Sequence, residues 1–144
     1  CLLELERMDE TGLLEEDPAP IAGQVSLSQR DVRMVQLAKS AVCAGLLTLL
    51  RREGVSLSQV EELVVAGGFG SYLNVKNAGR VGLLPPELVP RVRVAGNAAL
   101  AGAGMLLLSR DGLERAKDLA ARAQAEDLSG DPVFAQLYTD NMFF

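Results

Sequence analysis

Glu62-Leu63-Val64-Val65-Ala66-Gly67-Gly68-Phe69-Gly70-Ser71-Tyr72-Leu73 is the stretch on which the fold turns. Leu63 to Val65 are apolar and read as a short buried strand, and an Ala-Gly-Gly turn follows at once. Gly67, Gly68 and Gly70 bring no Cβ, so the backbone there is free to take positive φ and a ligand can approach the main chain closely. Asn74 sits where a new helix would be capped. A strand running into a Gly-rich turn and a helix start is how many α/β folds build a nucleotide pocket. A plain strand-to-helix turn has the same pattern, and both readings stand at this point.

Working outward, a second strand, Val89 to Ala95, runs into Gly96-Asn97. In a parallel sheet both strand ends lie on the same carboxyl edge, where ligands bind. Ala98 to Leu108 then reads as a helix of small and aliphatic residues, whose Gly102 and Gly104 suggest close approach by a neighbour or ligand. Upstream, Ser28 with Asp31 three residues on makes an imperfect capping box for a helix from about Gln29 to Glu53, stopped by Gly54. Val32, Val35, Ala38, Val42, Leu46, Leu49 and Leu50 predict its buried stripe. Gln36, Lys39 and Ser40 reach one side of this helix, either as a solvated polar face or toward the Gly67 and Gly96 edge.

The remaining elements are shorter. Leu2 to Leu14 reads as weakly helical, with Leu2, Leu3, Leu5, Met8 and Leu13 as anchors, and Glu15 to Gly23 as a loop holding Pro18 and Pro20. Short helices are expected at Ser56–Glu61 and Asn74–Val81, and an amphipathic one over 113–124 with Leu113, Ala116, Leu119, Ala120 and Ala123 inward. Glu126 to Leu128 reads as an edge strand, and Asp131 or Ser129 caps a last helix over Pro132–Asp140. Phe134, Tyr138, Phe143 and Phe144 are four of the six aromatics, and with Leu137 and Met142 they must dock on this domain or on a partner. The element order implies an α/β fold with a small, mostly parallel sheet and helices on both faces.

Composition narrows the function. Hydrophobic residues make up 49% of the 144, so the chain is globular. A net charge of −5 and the lack of any basic cluster argue against nucleic acid as the main partner. No uninterrupted apolar run reaches the roughly 20 residues of a membrane span. Cys1 and Cys43 form no CxxC pair, so no metal or iron–sulfur site is expected from this chain alone. The absence of histidine excludes Ser-His-Asp and Cys-His catalysis. No P-loop and no GxGxxG occurs. No signal peptide precedes the acidic stretch Glu4 to Glu16, which suits a cytoplasmic protein, and a first residue other than Met suggests a piece of a longer chain.

Taken together, several segments resemble one family. They are Ser28-Gln29-Arg30-Asp31-Val32-Arg33, Val35-Gln36-Leu37-Ala38-Lys39-Ser40-Ala41, Ala66-Gly67-Gly68-Phe69-Gly70-Ser71-Tyr72, Ala78-Gly79-Arg80-Val81-Gly82-Leu83-Leu84-Pro85 and Val94-Ala95-Gly96-Asn97-Ala98-Ala99-Leu100-Ala101-Gly102-Ala103, with a similar tail over 128–144. From about Ser26 to Phe144 the chain resembles the C-terminal part of the reductive activators of corrinoid proteins, in the actin-like ATPase superfamily. The resemblance implies half of an actin-like (ribonuclease H-like) fold at 26–144, led into by a helix and loop at 1–25. It implies a parent protein that uses ATP with Mg²⁺ and a [2Fe–2S] cluster in a missing N-terminal domain to return corrinoid cobalt from Co(II) to Co(I). Its partner would be a corrinoid iron–sulfur protein or a methyltransferase corrinoid subunit, with the missing upstream domains and a homodimer as further contacts.

By the same resemblance, Gly67 and Gly68, with Phe69, form the adenosine-motif turn. Gln36, Lys39 and Ser40 flank adenine and ribose, and Gly96 and Asn97 line the base. Both phosphate motifs are missing, so no residue here is assigned to Mg²⁺ or to catalysis, and the chain alone is expected to be inactive. Two alternatives stay open: a non-catalytic dimerisation or corrinoid-protein docking module, and half of an actin-like small-molecule kinase.

Overall fold

The computed structural model describes Leu2 and residues 6–144; the expected helix anchors Leu3 and Leu5 lie outside them. Over 6–14 the chain forms turns and a Met8–Leu14 antiparallel bridge instead of a helix. Asp9 is the local cause: its carboxylate accepts from Thr11 Oγ1 (2.7 Å) and Leu13 N (2.9 Å), which closes a turn that Gly12 completes at φ +81°. The expected loop at 15–23 contains strand β1 (Ala19–Ala22), paired antiparallel with β2 (Val25–Leu27).

Helix α1 spans Gln29–Arg52 and starts as its sequence predicts. Ser28 Oγ accepts from Asp31 N, and Asp31 Oδ2 accepts from Ser28 N at 2.9 Å. Gly54, at φ +65°, ends it. The buried face differs from the expected apolar stripe. Val32, Gln36, Lys39, Ser40, Cys43, Ala44 and Thr48 face inward, whereas Val35, Val42 and Leu49 are exposed. Both sets have helical spacing, so periodicity alone does not choose between them.

The inward face is chosen by two partners. One is helix α6 (Pro132–Asp140) with the residues after it, which makes the most extensive packing with α1. The other is the N-terminal segment, where Gln36 Nε2 donates to Thr11 O (2.8 Å) and Gln29 Nε2 to Gly12 O (2.7 Å). Leu2, Met8, Leu14, Ala19 and Val32 form a small core there, with Leu27 and Phe144 against it. By length and composition alone α1 is apolar enough to cross a membrane. Its buried polar side chains, bonded within the chain, identify it as the core helix of this domain.

A second unit holds the Gly-rich turns. Strand β3 (Leu63–Ala66) pairs in parallel with β4 (Val92–Gly96), so β4 starts three residues later than expected. Pro86–Arg91, a 3-10 helix, takes up the difference. Arg91 Nη1 donates to the carbonyls of Leu57 (2.8 Å) and Val60 (2.7 Å), and Arg93 pairs with Glu62, so two arginines tie the approaches to both strands together. Beyond β3 lie α2 (Gly68–Ser71) and α3 (Val75–Arg80); beyond β4 lie α4 (Ala98–Leu108) and α5 (Gly112–Arg122). Leu113 and Leu119, expected inward on α5, are exposed. Residues 126–128 form no strand.

Asp131 begins α6 and anchors it. Oδ1 accepts from Val133 N (2.7 Å) and Phe134 N (3.2 Å), while Oδ2 accepts from Arg52 Nε (3.1 Å). The Arg52 hydrogen bond holds this carboxyl below the usual carboxylate range. An acid lowered by folding adds stability above its unfolded pKa and loses it as pH falls through the folded value. Acidification through and below the usual aspartate range is therefore expected to loosen α6. Asp131→Asn should flatten that dependence while keeping the cap, as read by α6 amide exchange against pH. An equal acid dependence in Asp131→Asn would refute this role.

Candidate functional site

The two Gly-rich strand ends meet at one edge, as expected for a parallel pair. Gly67 N donates to Gly96 O at 2.8 Å, joining the turns directly. Gly67 has φ +96° and Gly96 φ +64°, a left-handed region that a side chain disfavours. Ser71 Oγ donates back to Gly67 O at 3.0 Å and braces the turn. A Cβ built at Gly67 or Gly68 meets nothing within 4 Å, so the space over this backbone is open. At Gly70 a Cβ would stand 2.6 Å from Val65 Cγ1, so that glycine serves packing under the turn. Phe69 and Tyr72 stand out beside the turn, 80% and 93% exposed.

Asn97 is at the same edge, but its Oδ1 accepts from Leu100 N (3.0 Å) and caps α4. Its first role is thus to start that helix.

Gln36, Lys39 and Ser40 do not form a solvated face: all three are buried. Lys39, 2% exposed, donates from Nζ to Asn141 O (2.7 Å) and Phe143 O (2.5 Å), with Nζ 4.9 Å from the Phe144 ring centre. Ser40 Oγ donates to Tyr138 O. Gln36 accepts from Arg33 Nη1 (2.9 Å) as well as donating to Thr11 O. The C-terminal turn of α6 leaves carbonyls without helical partners, and a cation there satisfies them and favours the helix dipole. The polar side of α1 is a clamp for the tail. Burial pushes the Lys39 amine below the usual lysine value and the neighbouring Cys43 thiol above its own.

Among the described residues, no group of three or more His, Cys, Asp or Glu is placed to hold a metal. What this edge offers is a bare, braced backbone with two exposed aromatics, suited to a flat ligand group lying against the main chain.

The parallel pair with its flanking helices belongs to an α/β domain of the ASKHA, actin-like type. Residues 3–144 match the family described as "C-terminal domain of RACo the ASKHA domain", and the chain belongs to that family. It is 40% identical over 126 residues to "Corrinoid activation enzyme RamQ" of Eubacterium limosum, covering 87% of this chain and 21% of that one. It is 26% identical over 123 residues to "[Co(II) methylated amine-specific corrinoid protein] reductase" of Methanosarcina barkeri, covering 81% and 23%. A solved "Reductive activator for corrinoid,iron-sulfur protein" superposes with a TM-score of 0.84 at 26% identity, over 99% of this chain and 26% of that one. The chain therefore spans about a quarter or less of the length of these relatives.

Proposed function

We propose that this domain is the adenine-nucleotide-binding part of an ATP-dependent activator that returns corrinoid proteins from Co(II) to Co(I). The carrying observation is the Gly67–Gly68 turn, locked to Gly96 at the carboxyl edge of a parallel pair and open above. Membership of the reductive-activator family supports the corrinoid protein as partner. Gly67, Gly68, Phe69 and Gly96 would line the adenosine, with Asn97 holding the start of α4 beneath it. Gln36, Lys39 and Ser40 leave the proposed site because their polar atoms are buried and bonded to the chain's own carbonyls. ATP with its Mg²⁺ supplies the driving force and a [2Fe–2S] cluster the electron. The residues that would hold phosphates, metal ion and cluster belong to other parts of the parent protein, and a cytoplasmic location fits this chemistry.

Gly68→Val in the full-length polypeptide is the direct test. No atom stands within 4 Å of the added Cβ, so melting should stay within a few degrees, while affinity for a non-hydrolysable ATP analogue falls at least about tenfold, or 1.4 kcal/mol. Gly70→Ala is the contrast: it collides with Val65 and should lower stability by about 1–3 kcal/mol. Unchanged affinity in a folded Gly68→Val protein removes this turn from the site.

A further inference from the structure

The single turn of helix α2 and its cap residue sort their positions by direction. Gly70 faces the sheet, since a Cβ there would stand 2.6 Å from Val65 Cγ1. Ser71 faces the two glycine turns: its Oγ donates to Gly67 O at 3.0 Å and lies 4.0 Å from where a Cβ on Gly96 would be. Gly68 faces open space, with nothing within 4 Å of an added Cβ. Tyr72, the C-cap, keeps helical backbone angles at φ −106° and ψ −1°. Its N–H donates to Phe69 O at 3.3 Å, so Phe69 and Tyr72 lie one turn apart on one side of α2. A residue four positions on shares a helix face with the first, and a helical side chain leans back over the turn before it. Both rules bring the Tyr72 ring to the open side of Gly68.

That ring does nothing visible for the fold. Tyr72 is exposed, and its hydroxyl makes no hydrogen bond among the described residues. Meanwhile the polar side chains proposed for this site are committed elsewhere. Asn97 Oδ1 caps α4, and the Ser71 hydroxyl braces Gly67. Gln36 donates to Thr11 O, and Lys39 and Ser40 hold the carbonyls of the tail. A base lying against the glycine backbone therefore finds few side-chain hydrogen bonds from this domain. Stacking on an aromatic ring needs none, because every base has a π-face.

Resting on the nucleotide reading above, we propose that Tyr72 is the base-stacking residue of this site. Its ring covers a planar base whose other face lies on Gly67–Gly68, and the ring rather than the hydroxyl makes the contact.

Titration calorimetry of the full-length polypeptide with a non-hydrolysable ATP analogue tests this. Tyr72→Ala should weaken binding at least about fivefold, the lower end of what one base–aromatic stack contributes. Tyr72→Phe keeps the ring and should stay within about twofold of wild type, whereas Tyr72→Leu, apolar without a π-face, should lose nearly as much as Tyr72→Ala. Melting of all three should stay close to wild type, because an exposed side chain contributes little to stability. Gly68→Val separates this assignment from the reading beneath it. If Gly68→Val weakens binding and Tyr72→Ala does not, the turn holds the nucleotide and Tyr72 has no part in it. If neither weakens binding, the nucleotide reading falls as well. Equal losses in Tyr72→Phe and Tyr72→Ala would make the hydroxyl the contact. A Tyr72→Ala protein that melts well below wild type would place Tyr72 in a packing contact. Each of these four results overturns the stacking role.

Discussion

Removal of residues 132–144 from the full-length polypeptide is expected to cost this domain more than any single substitution. Leu137 is buried under α6 and Phe144 packs on the N-terminal core, and burying each is worth roughly 1.5–3 kcal/mol. Phe144 N also donates to Glu10 O at 3.0 Å, so the tail closes the N-terminal turn over α1. Without the tail, Lys39 loses both carbonyl partners and the Phe144 ring. The two lost hydrogen bonds from this charged donor add roughly 1.5–3 kcal/mol each. The total approaches the 5–15 kcal/mol of a typical domain, so the truncated protein should melt at least roughly 10 °C lower and aggregate. Calorimetry and light scattering of the purified truncation check this. If melting and association stay unchanged while activation of a corrinoid protein is lost, the tail is a docking element instead.

Lys39→Ala carries the second largest effect. It removes one side chain but leaves the carbonyls of Asn141 and Phe143 without their donor in a partly buried place. Each unsatisfied group costs about 1–3 kcal/mol, so the variant should lose roughly 2–4 kcal/mol, with α6 exchanging its amides faster than β3 and β4 do. Lys39→Arg should not restore the contact. A Cβ at Gly82 would lie only 3.2 Å from Lys39 Nζ, so there is little room for a guanidinium. The pH dependence has a definite sign. Because burial lowers the Lys39 pKa, the unfolded chain holds more protons in the window between the lowered value and the usual lysine value. Stability from this residue therefore rises with pH through that window, and Lys39→Ala lacks the rise. Wild-type stability in Lys39→Ala, with weakened nucleotide binding, would return Lys39 to the nucleotide cleft and contradict its role as a tail clamp.

These expectations contrast with the sequence reading in one respect, and the reason is physical. Local signals were legible in the sequence. Ser28 with Asp31, Asn74 and Asp131 all cap the segments they introduce, because a cap involves residues two to four apart. The Gly67–Gly68 and Gly96 turns fall at neighbouring strand ends for a related reason: two short apolar runs, each followed by glycine, make a parallel pair with one shared edge. The family was legible too, because its signature lies in these turns and helix starts.

The inward face of α1 was not legible. Met34, Val35, Val42 and Leu49 have the apolar character of a core stripe, and Gln36, Lys39 and Ser40 that of a surface or a ligand site. Hydrophobicity ranks those two faces, but the choice is made by residues about a hundred positions away, where the end of α6 presents carbonyls that need donors. Local sequence thus determined the helices, their caps and the Gly-rich edge. Only the tertiary structure decided which side of α1 is buried, since a buried polar group is stable when its partners arrive from elsewhere in the chain.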